Sequence, residues 1–174
     1  AGEAADFLQV KTEEAIQPKA IFPFYVPSET LSSTEQFLST YPLSHDTISF
    51  PQDADNLQIE PEVALICEIH YQDGQVNKLK PSHFAAYNDC SIRRPNARKI
   101  CEKKNWGENS KGISATQIAL DKFEQGGVLD NYHIACFHKR NGVLNTYGED
   151  SPAASYSYFH QKLLNWIIDK MNHQ

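Results

Sequence analysis

The sequence feature that most constrains the fold is a two-residue turn signal beside an alternating segment. Residues 62–71 largely alternate apolar and polar side chains, and Asp73 and Gly74 follow them directly. A period of two is typical of a half-buried β-strand, and Asp-Gly is a strong signal for a tight turn between antiparallel strands. The pattern therefore predicts a hairpin in which 75–79 returns beside 62–71.

Similar signals recur along the rest of the chain. Residues 83–93 alternate again, and Asn141 with Gly142 predicts a second hairpin. A short helix is expected from Ser114 or Thr116 to Gln125, ended by two glycines, and a long helix is expected to begin at Ser151 and Pro152. The charged segment 94–112 is expected to be a long loop. Together these signals predict a single α+β, β-rich domain over 1–174.

Composition excludes several classes of protein. The 174 residues are 40% hydrophobic and 22% charged, which is typical of a globular domain, and the net charge of −6 disfavours nucleic-acid and membrane partners. No apolar run approaches the roughly 20 residues of a spanning helix.

The four cysteines show no paired spacing, so free thiols and a cytoplasmic location are expected. The start at Ala1, without methionine, suggests that segments are missing at both ends.

Three acidic residues form the candidate site. Glu60 and Glu62 lie two positions apart, so on a strand they share one face about 7 Å apart. Asp89 lies on the polar face of another predicted strand. Converging carboxylates require a compensating cation, and hard divalent cations prefer oxygen ligands. The alternative is two solvated glutamates and an Asn-Asp turn, and spacing alone favours it because Glu-x-Glu is common.

Several segments, taken in order, resemble the fumarylacetoacetate hydrolase family over about residues 18–170. Residues 59–66 are similar to its Glu-x-Glu-Leu-Ala-Val-Val strand, and 85–93 to its Gly-Tyr-x-x-x-Asn-Asp-Val-Ser-x-Arg segment. Trp106 with Lys111 resembles its Trp…Gly-Lys-Ser loop. The chain lacks the family's early His-x-x-Glu dyad and its closing Pro-Gly-Asp and Gly-Thr-Pro stretch.

The resemblance implies a fold, a cofactor and a set of site residues. It implies a mixed β-roll that holds Mg²⁺, with Mn²⁺ or Ca²⁺ as alternatives. The residues it implies are Glu60, Glu62 and Asp89 as metal ligands, Lys111 as the catalytic lysine, Ser91 and Arg93 as residues that hold Asp89, and Tyr25 or Phe24 as cleft lining.

The function implied by the resemblance is metal-dependent hydrolysis of a carbon–carbon bond. The substrate would be a small keto acid or diketone, and a homodimer would be the expected assembly. Decarboxylation or tautomerisation on the same metal site is an alternative. A non-catalytic metal-binding relative and an interaction domain without a metal are two further alternatives.

Overall fold

The computed structural model describes residues 17–173 except 29, 53, 55 and 94–100. The strands, in chain order, are β1 (Leu43–Ser44), β2 (Leu57–Gln58), β3 (Pro61–Gln72), β4 (Gln75–Asn88), β5 (Ser91–Ile92), β6 (Lys111–Ile113), β7 (Ile118–Ala119), β8 (His133–Ile134), β9 (Phe137–Arg140), β10 (Val143–Thr146) and β11 (Ser151–Pro152). The α-helices are α1 (Cys101–Lys104) and α2 (Gln161–Asn172), and 3₁₀ turns cover Gln36–Ser39 and Val128–Asn131.

The central sheet is built on the long β3–β4 hairpin, which confirms the turn at Asp73 and Gly74. Its order is β1-β6-β4-β3, and β7 also pairs with β4. The pairs β9–β10, β8–β11 and β2–β5 form three two-stranded sheets. The β9–β10 pair confirms the second predicted hairpin, at Asn141 and Gly142.

Two β-bulges shift the register of the β3–β4 hairpin. They fall between Ile66 and Cys67 and between His70 and Tyr71. Each bulge adds one residue to β4, and at the first of them the Ser82 hydroxyl donates to the Ile66 carbonyl at 3.1 Å. A shift of one residue would turn the side chains to the opposite face of the sheet. Two shifts restore the original face. At the end of the hairpin away from the turn, the polar side chains of β3 and β4 therefore lie on the same face of the sheet.

The core lies between the sheet and the C-terminal helix. Leu164 of α2 packs with Val76 and Leu79 of β4, and a second cluster joins Phe84 to Leu129 and Ala153. At the end of α2, the Asn172 side chain accepts from the Val76 backbone N–H and donates to its carbonyl, both at 2.8 Å. The helix is thereby fixed against the turn end of the hairpin.

Several predicted elements are wrong. The expected helix over 116–125 is replaced by β7 and irregular chain, because Ile118 and Ala119 pair with the free edge of β4. Ser151 and Pro152 form β11 against β8, and the long helix begins ten residues later, at Gln161. Sheet pairing has overridden local helix signals at both places.

The predicted strand over 83–93 and the predicted loop over 94–112 also differ. The first part of 83–93 continues β4 without a break, and Ser91 and Ile92 form β5. Residues 94–100 lie outside the described residues, whereas 101–104 are helical and 111–113 are a strand. The loop prediction failed there because Lys111–Ile113 pairs with both β1 and β4.

The β-rich, mixed α+β class is confirmed, but the fumarylacetoacetate hydrolase roll is not. Among the described residues, the sheets do not close into a barrel. No helix within the described ranges has the length and apolar character needed to cross a membrane. Cys67, Cys90 and Cys136 are free thiols.

Candidate functional site

The three acidic side chains converge where β3 begins and β4 ends. Glu62 pairs with Tyr87 across the hairpin, and Gln58 pairs with Ser91 in the same register. Between these pairs, the Asp89 N–H donates to the Glu60 carbonyl at 2.9 Å. Opposing residues of an antiparallel ladder share a face, so the carboxylates point the same way. One ligand oxygen from each of Glu60, Glu62 and Asp89 lies within 4.8 Å of the others.

Lys111 reaches this cluster from β6. Strand β6 pairs with β4, with Gly112 opposite Asn88, and the next position along the ladder sets Lys111 against Asp89. The Lys111 ammonium lies 2.8 Å from the Asp89 carboxylate and donates to the Cys90 carbonyl at 2.5 Å. Its side chain has 0% exposure. Burial lowers the pKa of Lys111 despite the neighbouring carboxylate of Asp89.

Because the Lys111 side chain is fully buried, a substrate cannot reach its ammonium in this arrangement, although a catalytic role was predicted for it. The side chain lies beneath the cluster, with its ammonium 5.8 Å from the centre of the Trp106 ring. A substrate would need this part of the site to open before it could touch the ammonium. In this arrangement the Lys111 ammonium contacts Asp89, and the catalytic role stays a prediction.

Lys104 is the site residue that the sequence analysis missed. It is the last residue of α1, and its ammonium lies 2.9 Å from Glu60 Oε2 and 2.5 Å from Asp89 Oδ2. It also donates to the Asp89 backbone carbonyl at 2.9 Å. The ammonium of Lys104 therefore binds two of the three candidate metal ligands. In the sequence it is one of several lysines in a charged segment, and nothing there separates it from the others.

Hydrogen bonds keep Glu60 and Lys104 ionised. Burial alone would raise the pKa of Glu60, but donation from Ser91 and Lys104 outweighs it, and the pKa lies below its ordinary value. Burial would likewise lower the pKa of Lys104, but its bonds to Asp89 and Glu60 raise it. A charged donor and a charged acceptor form the stronger class of hydrogen bond, so this pair is a stable ionised contact.

Glu62 differs from the other two carboxylates. It makes no hydrogen bond or ion pair within the described part of the chain, and its residue surface is exposed. Burial of the carboxylate and the charge of Asp89 raise its pKa. Glu62 is thus the acidic group that remains free to bind a ligand or to exchange a proton.

Glu62→Gln is expected to increase the free energy of unfolding at pH 7. A raised pKa means that the folded state holds this proton more tightly than the unfolded state, so stability is lost as the pH rises through the interval between the two pKa values. Ionised Glu62 therefore opposes folding at neutral pH, and glutamine removes that effect. Urea unfolding at pH 7 and at about pH 3, below the ordinary carboxyl range, measures the difference.

The exposed Glu108 provides the control for this prediction. Glu108→Gln removes a carboxyl outside the cluster, and the change that it causes at each pH value is the reference for Glu62→Gln. The prediction fails if Glu62→Gln is less stable than the native protein at pH 7 and equal to it at pH 3.

The hydroxyl of Tyr87 is a second group of the site, after Glu62, whose polar atom lacks an ordinary hydrogen bond. Its hydroxyl is buried and has no hydrogen-bond partner of normal geometry among the described residues. Burial, followed by the charges of Asp89 and Glu62, raises the pKa of Tyr87 well above its ordinary value. The Asp89 side chain is the acceptor nearest to satisfying this hydroxyl, although their geometry falls outside that of a normal hydrogen bond, and a ligand oxygen beside Glu62 is another group that would satisfy it.

Glu62 and Tyr87 both border a cleft of about 420 Å³. The cleft is lined by residues 44–48, 59, 61–62, 86–88, 112–114 and 134–136. Its volume lies within the range of small-molecule sites. Glu62 also borders a neighbouring hollow of about 560 Å³ that contains Tyr156 and Phe159.

The remaining predicted site residues occupy different places. The Ser91 hydroxyl donates to Glu60, not to Asp89, in a very short hydrogen bond. The Arg93 guanidinium bonds the Gln58 amide oxygen and lies 4.0 Å from Glu60. Tyr25 packs edge-on against Tyr41 with ring centres 5.3 Å apart and is not among the side chains that line the cleft.

The three carboxylates suit a hard divalent cation, provided that Lys104 shares or gives up its contacts with Glu60 and Asp89. Carboxylate oxygens are the ligands that Mg²⁺, Mn²⁺ and Ca²⁺ prefer. The three carboxylates meet the ammonium groups of Lys104 and Lys111, and the Arg93 guanidinium lies 4.0 Å from Glu60, so three negative charges face three positive ones. A divalent ion bound by all three carboxylates would have to share Glu60 and Asp89 with Lys104 or displace its ammonium.

The fold and the site together define a β-rich α+β protein with a cluster of carboxylates and lysines beside a cleft of about 420 Å³. A family model described as a family of unknown function (DUF5718) matches residues 3–174, and the chain belongs to that family. No curated protein and no solved structure matches the chain.

The family match overturns the predicted membership of the fumarylacetoacetate hydrolase family, for which no match was found. The motifs behind that prediction are short. Glu-x-Glu at a strand start and Asn-Asp at a strand end occur in many unrelated sheets, so their order along one chain was not specific enough.

Proposed function

We propose that this protein is a divalent-metal-dependent enzyme that acts on a small, oxygen-rich substrate. The observation that supports the proposal is the convergence of Glu60, Glu62 and Asp89 within 4.8 Å, with Glu62 at a cleft of about 420 Å³. These three side chains would hold the cation, and Mg²⁺ is the first choice. When bound, the cation would polarise a substrate oxygen.

Charge favours a substrate that carries a carboxylate. A divalent ion added to the cluster would leave positive charge in excess, because Lys104 and Lys111 already offset two of the three carboxylates. A keto acid would supply both a negative charge and two neighbouring oxygens for the cation. A diketone supplies the oxygens alone, so it is the second choice.

The chain's own residues would move protons in this proposal. Glu62 lies at the cleft and makes no ion pair among the described residues, so one of its carboxylate oxygens would bind the cation and the other would be the general base. The buried Tyr87 hydroxyl has no hydrogen-bond partner of normal geometry in the described chain, and it would donate to a substrate oxygen if this part of the cleft opened. A base that activates water for attack on the carbonyl would serve hydrolytic carbon–carbon cleavage, which is the first choice, and proton transfer beside the carbonyl would serve tautomerisation. Decarboxylation would release CO2 and leave an enolate that a proton donor at the site would then protonate.

A second candidate function follows from Lys104. Its ammonium already neutralises Glu60 and Asp89, so the cluster is also consistent with proton transfer that needs no metal. In that case Glu62 would be the base, and the two lysines would stabilise negative charge on the substrate.

A substrate screen separates these functions. Acylpyruvates and oxaloacetate are incubated with the native protein and with Glu62→Gln, each with Mg²⁺, with Mn²⁺ and with EDTA. Metal-dependent turnover that Glu62→Gln reduces at least about 100-fold, the scale of general-base catalysis, supports the first proposal. Turnover unchanged by EDTA supports the metal-free function. Metal binding without turnover of any substrate supports a non-catalytic protein instead.

A further inference from the structure

Three exposed apolar side chains lie on the hairpin formed by β9 and β10. Phe137, Val143 and Leu144 are 59%, 60% and 63% exposed. All four residues of β10 are exposed, and the two strands pair only with each other within the described ranges. An isolated two-stranded hairpin is marginally stable in water, and unpaired strand edges are templates for pairing with another chain.

Charge is separated along the same hairpin. Lys139 and Arg140 lie at its tip, beside the Asn141 and Gly142 turn. Glu149 follows the base of the hairpin, is exposed and makes no ion pair among the described residues. The neighbouring Asp150 lies 2.8 Å from His133. One end of the exposed feature is therefore basic and the other is acidic.

We propose that this hairpin is a dimerisation surface and that its partner is a second copy of the same chain. Two β10 strands aligned antiparallel would form a continuous four-stranded sheet and pair their backbone edges. Only the antiparallel alignment brings the basic tip of each copy to the acidic base of the other. Such a contact is self-complementary about a two-fold axis, which is the commonest symmetry of protein dimers.

The size of the hairpin sets the expected affinity. Strand β10 has four residues, so the contact lies at the small end of specific interfaces and is expected to be weak and reversible. We expect a dissociation constant on the order of 10 µM. Part of this affinity is electrostatic, so it should fall as the salt concentration rises.

Sedimentation velocity between about 1 and 300 µM, which spans the expected dissociation constant, measures the monomer–dimer equilibrium. The native protein is expected to dimerise within this range, and Leu144→Asp is expected to remain monomeric. Tyr71→Asp is the matched control: Tyr71 is 65% exposed but lies on the β3–β4 hairpin, so this variant should dimerise like the native protein.

Charge reversal tests the antiparallel alignment. Arg140→Glu and Glu149→Arg are each expected to weaken dimerisation about tenfold, and the double variant is expected to recover most of the affinity. A native protein that stays monomeric throughout the range would overturn the proposal. So would equal dimerisation of Leu144→Asp and the native protein, or a double variant no better than either single one.

Discussion

Lys104→Met is expected to destabilise the metal-free protein and, at the same time, to tighten metal binding. The substitution keeps most of the side-chain volume but removes the ammonium that contacts Glu60 and Asp89. Lys111 would then be the one lysine left in contact with the cluster. Removing one partner of a buried ion pair is strongly destabilising, because the other partner keeps an uncompensated charge. We expect a loss of roughly 3 kcal/mol in the free energy of unfolding. The same loss of positive charge should strengthen Mg²⁺ or Mn²⁺ binding by about tenfold or more.

Chemical unfolding with and without metal checks both parts of this prediction. Added Mn²⁺ should restore much of the lost stability of Lys104→Met, because a ligand that binds the folded state stabilises it. Lys103→Met is the control, since Lys103 is the neighbouring residue in the same short helix and makes no ion pair within the described chain. If metal stabilises Lys104→Met no more than Lys103→Met, Lys104 does not compete with a cation.

Lys111→Met is expected to cause the largest loss of stability. The Lys111 side chain has 0% exposure, and its ammonium bonds Asp89 at 2.8 Å and the Cys90 carbonyl. In the variant, Asp89 keeps its ion pair with Lys104 but loses the one with Lys111. We expect this loss to lower the free energy of unfolding by about 3–5 kcal/mol. Urea unfolding measures the change. Lys122→Met is the control, because its ion pair with Glu124 is exposed on both sides and should contribute about 0.5 kcal/mol or less.

A double variant keeps this prediction testable if Lys111→Met does not fold. Removing the charge of Asp89 as well, in Lys111→Met with Asp89→Asn, is expected to recover part of the loss, because no unpaired carboxylate remains at that position. A double variant less stable than Lys111→Met alone would show that the two side chains are not coupled in this way.

The hairpin at the centre of the fold was predictable, but its register was not. Asp73 and Gly74 fix the turn, and a regular hairpin from that turn would set Glu62 opposite Ala85. The two bulges move it opposite Tyr87. No local signal placed them, although Ser82 supplies a hydroxyl that donates at one bulge.

The acidic residues of the site could be named from the sequence, whereas their cationic partners were only partly found. Glu62 lies on β3, whereas Glu60 and Asp89 lie between strands and are joined by a backbone hydrogen bond. The two-residue spacing predicted a shared face for Glu60 and Glu62, but the resemblance, and not the spacing, linked Asp89 to them. Lys104 is held by a four-residue helix that follows the undescribed residues 94–100, and no pattern links it to the sheet. The resemblance also named Lys111, whose ammonium lies 2.8 Å from Asp89, but the family that it suggested is wrong.

The helix predictions failed for a related reason. Ile118 and Ala119 pair with β4, whose edge is available at that point, and the tendency of the local sequence to form a helix is worth less than a place in the sheet. Ser151 and Pro152 form a good helix start by composition, yet they pair with β8. Whether such a segment becomes helix or strand depends on which distant strand it can pair with. A single sequence does not reveal that pairing partner.

Calorimetric titration of the native protein and of Glu62→Ala with Mg²⁺ and Mn²⁺ tests the central claim most directly. Glu62 makes no ion pair within the described residues, so its removal should leave the Glu60–Lys104–Asp89 contacts intact. We predict that the native protein binds one ion per chain and that Glu62→Ala binds it at least about tenfold more weakly, which is about 1.4 kcal/mol. Equal binding by the two proteins would contradict a cation site shared by the three carboxylates.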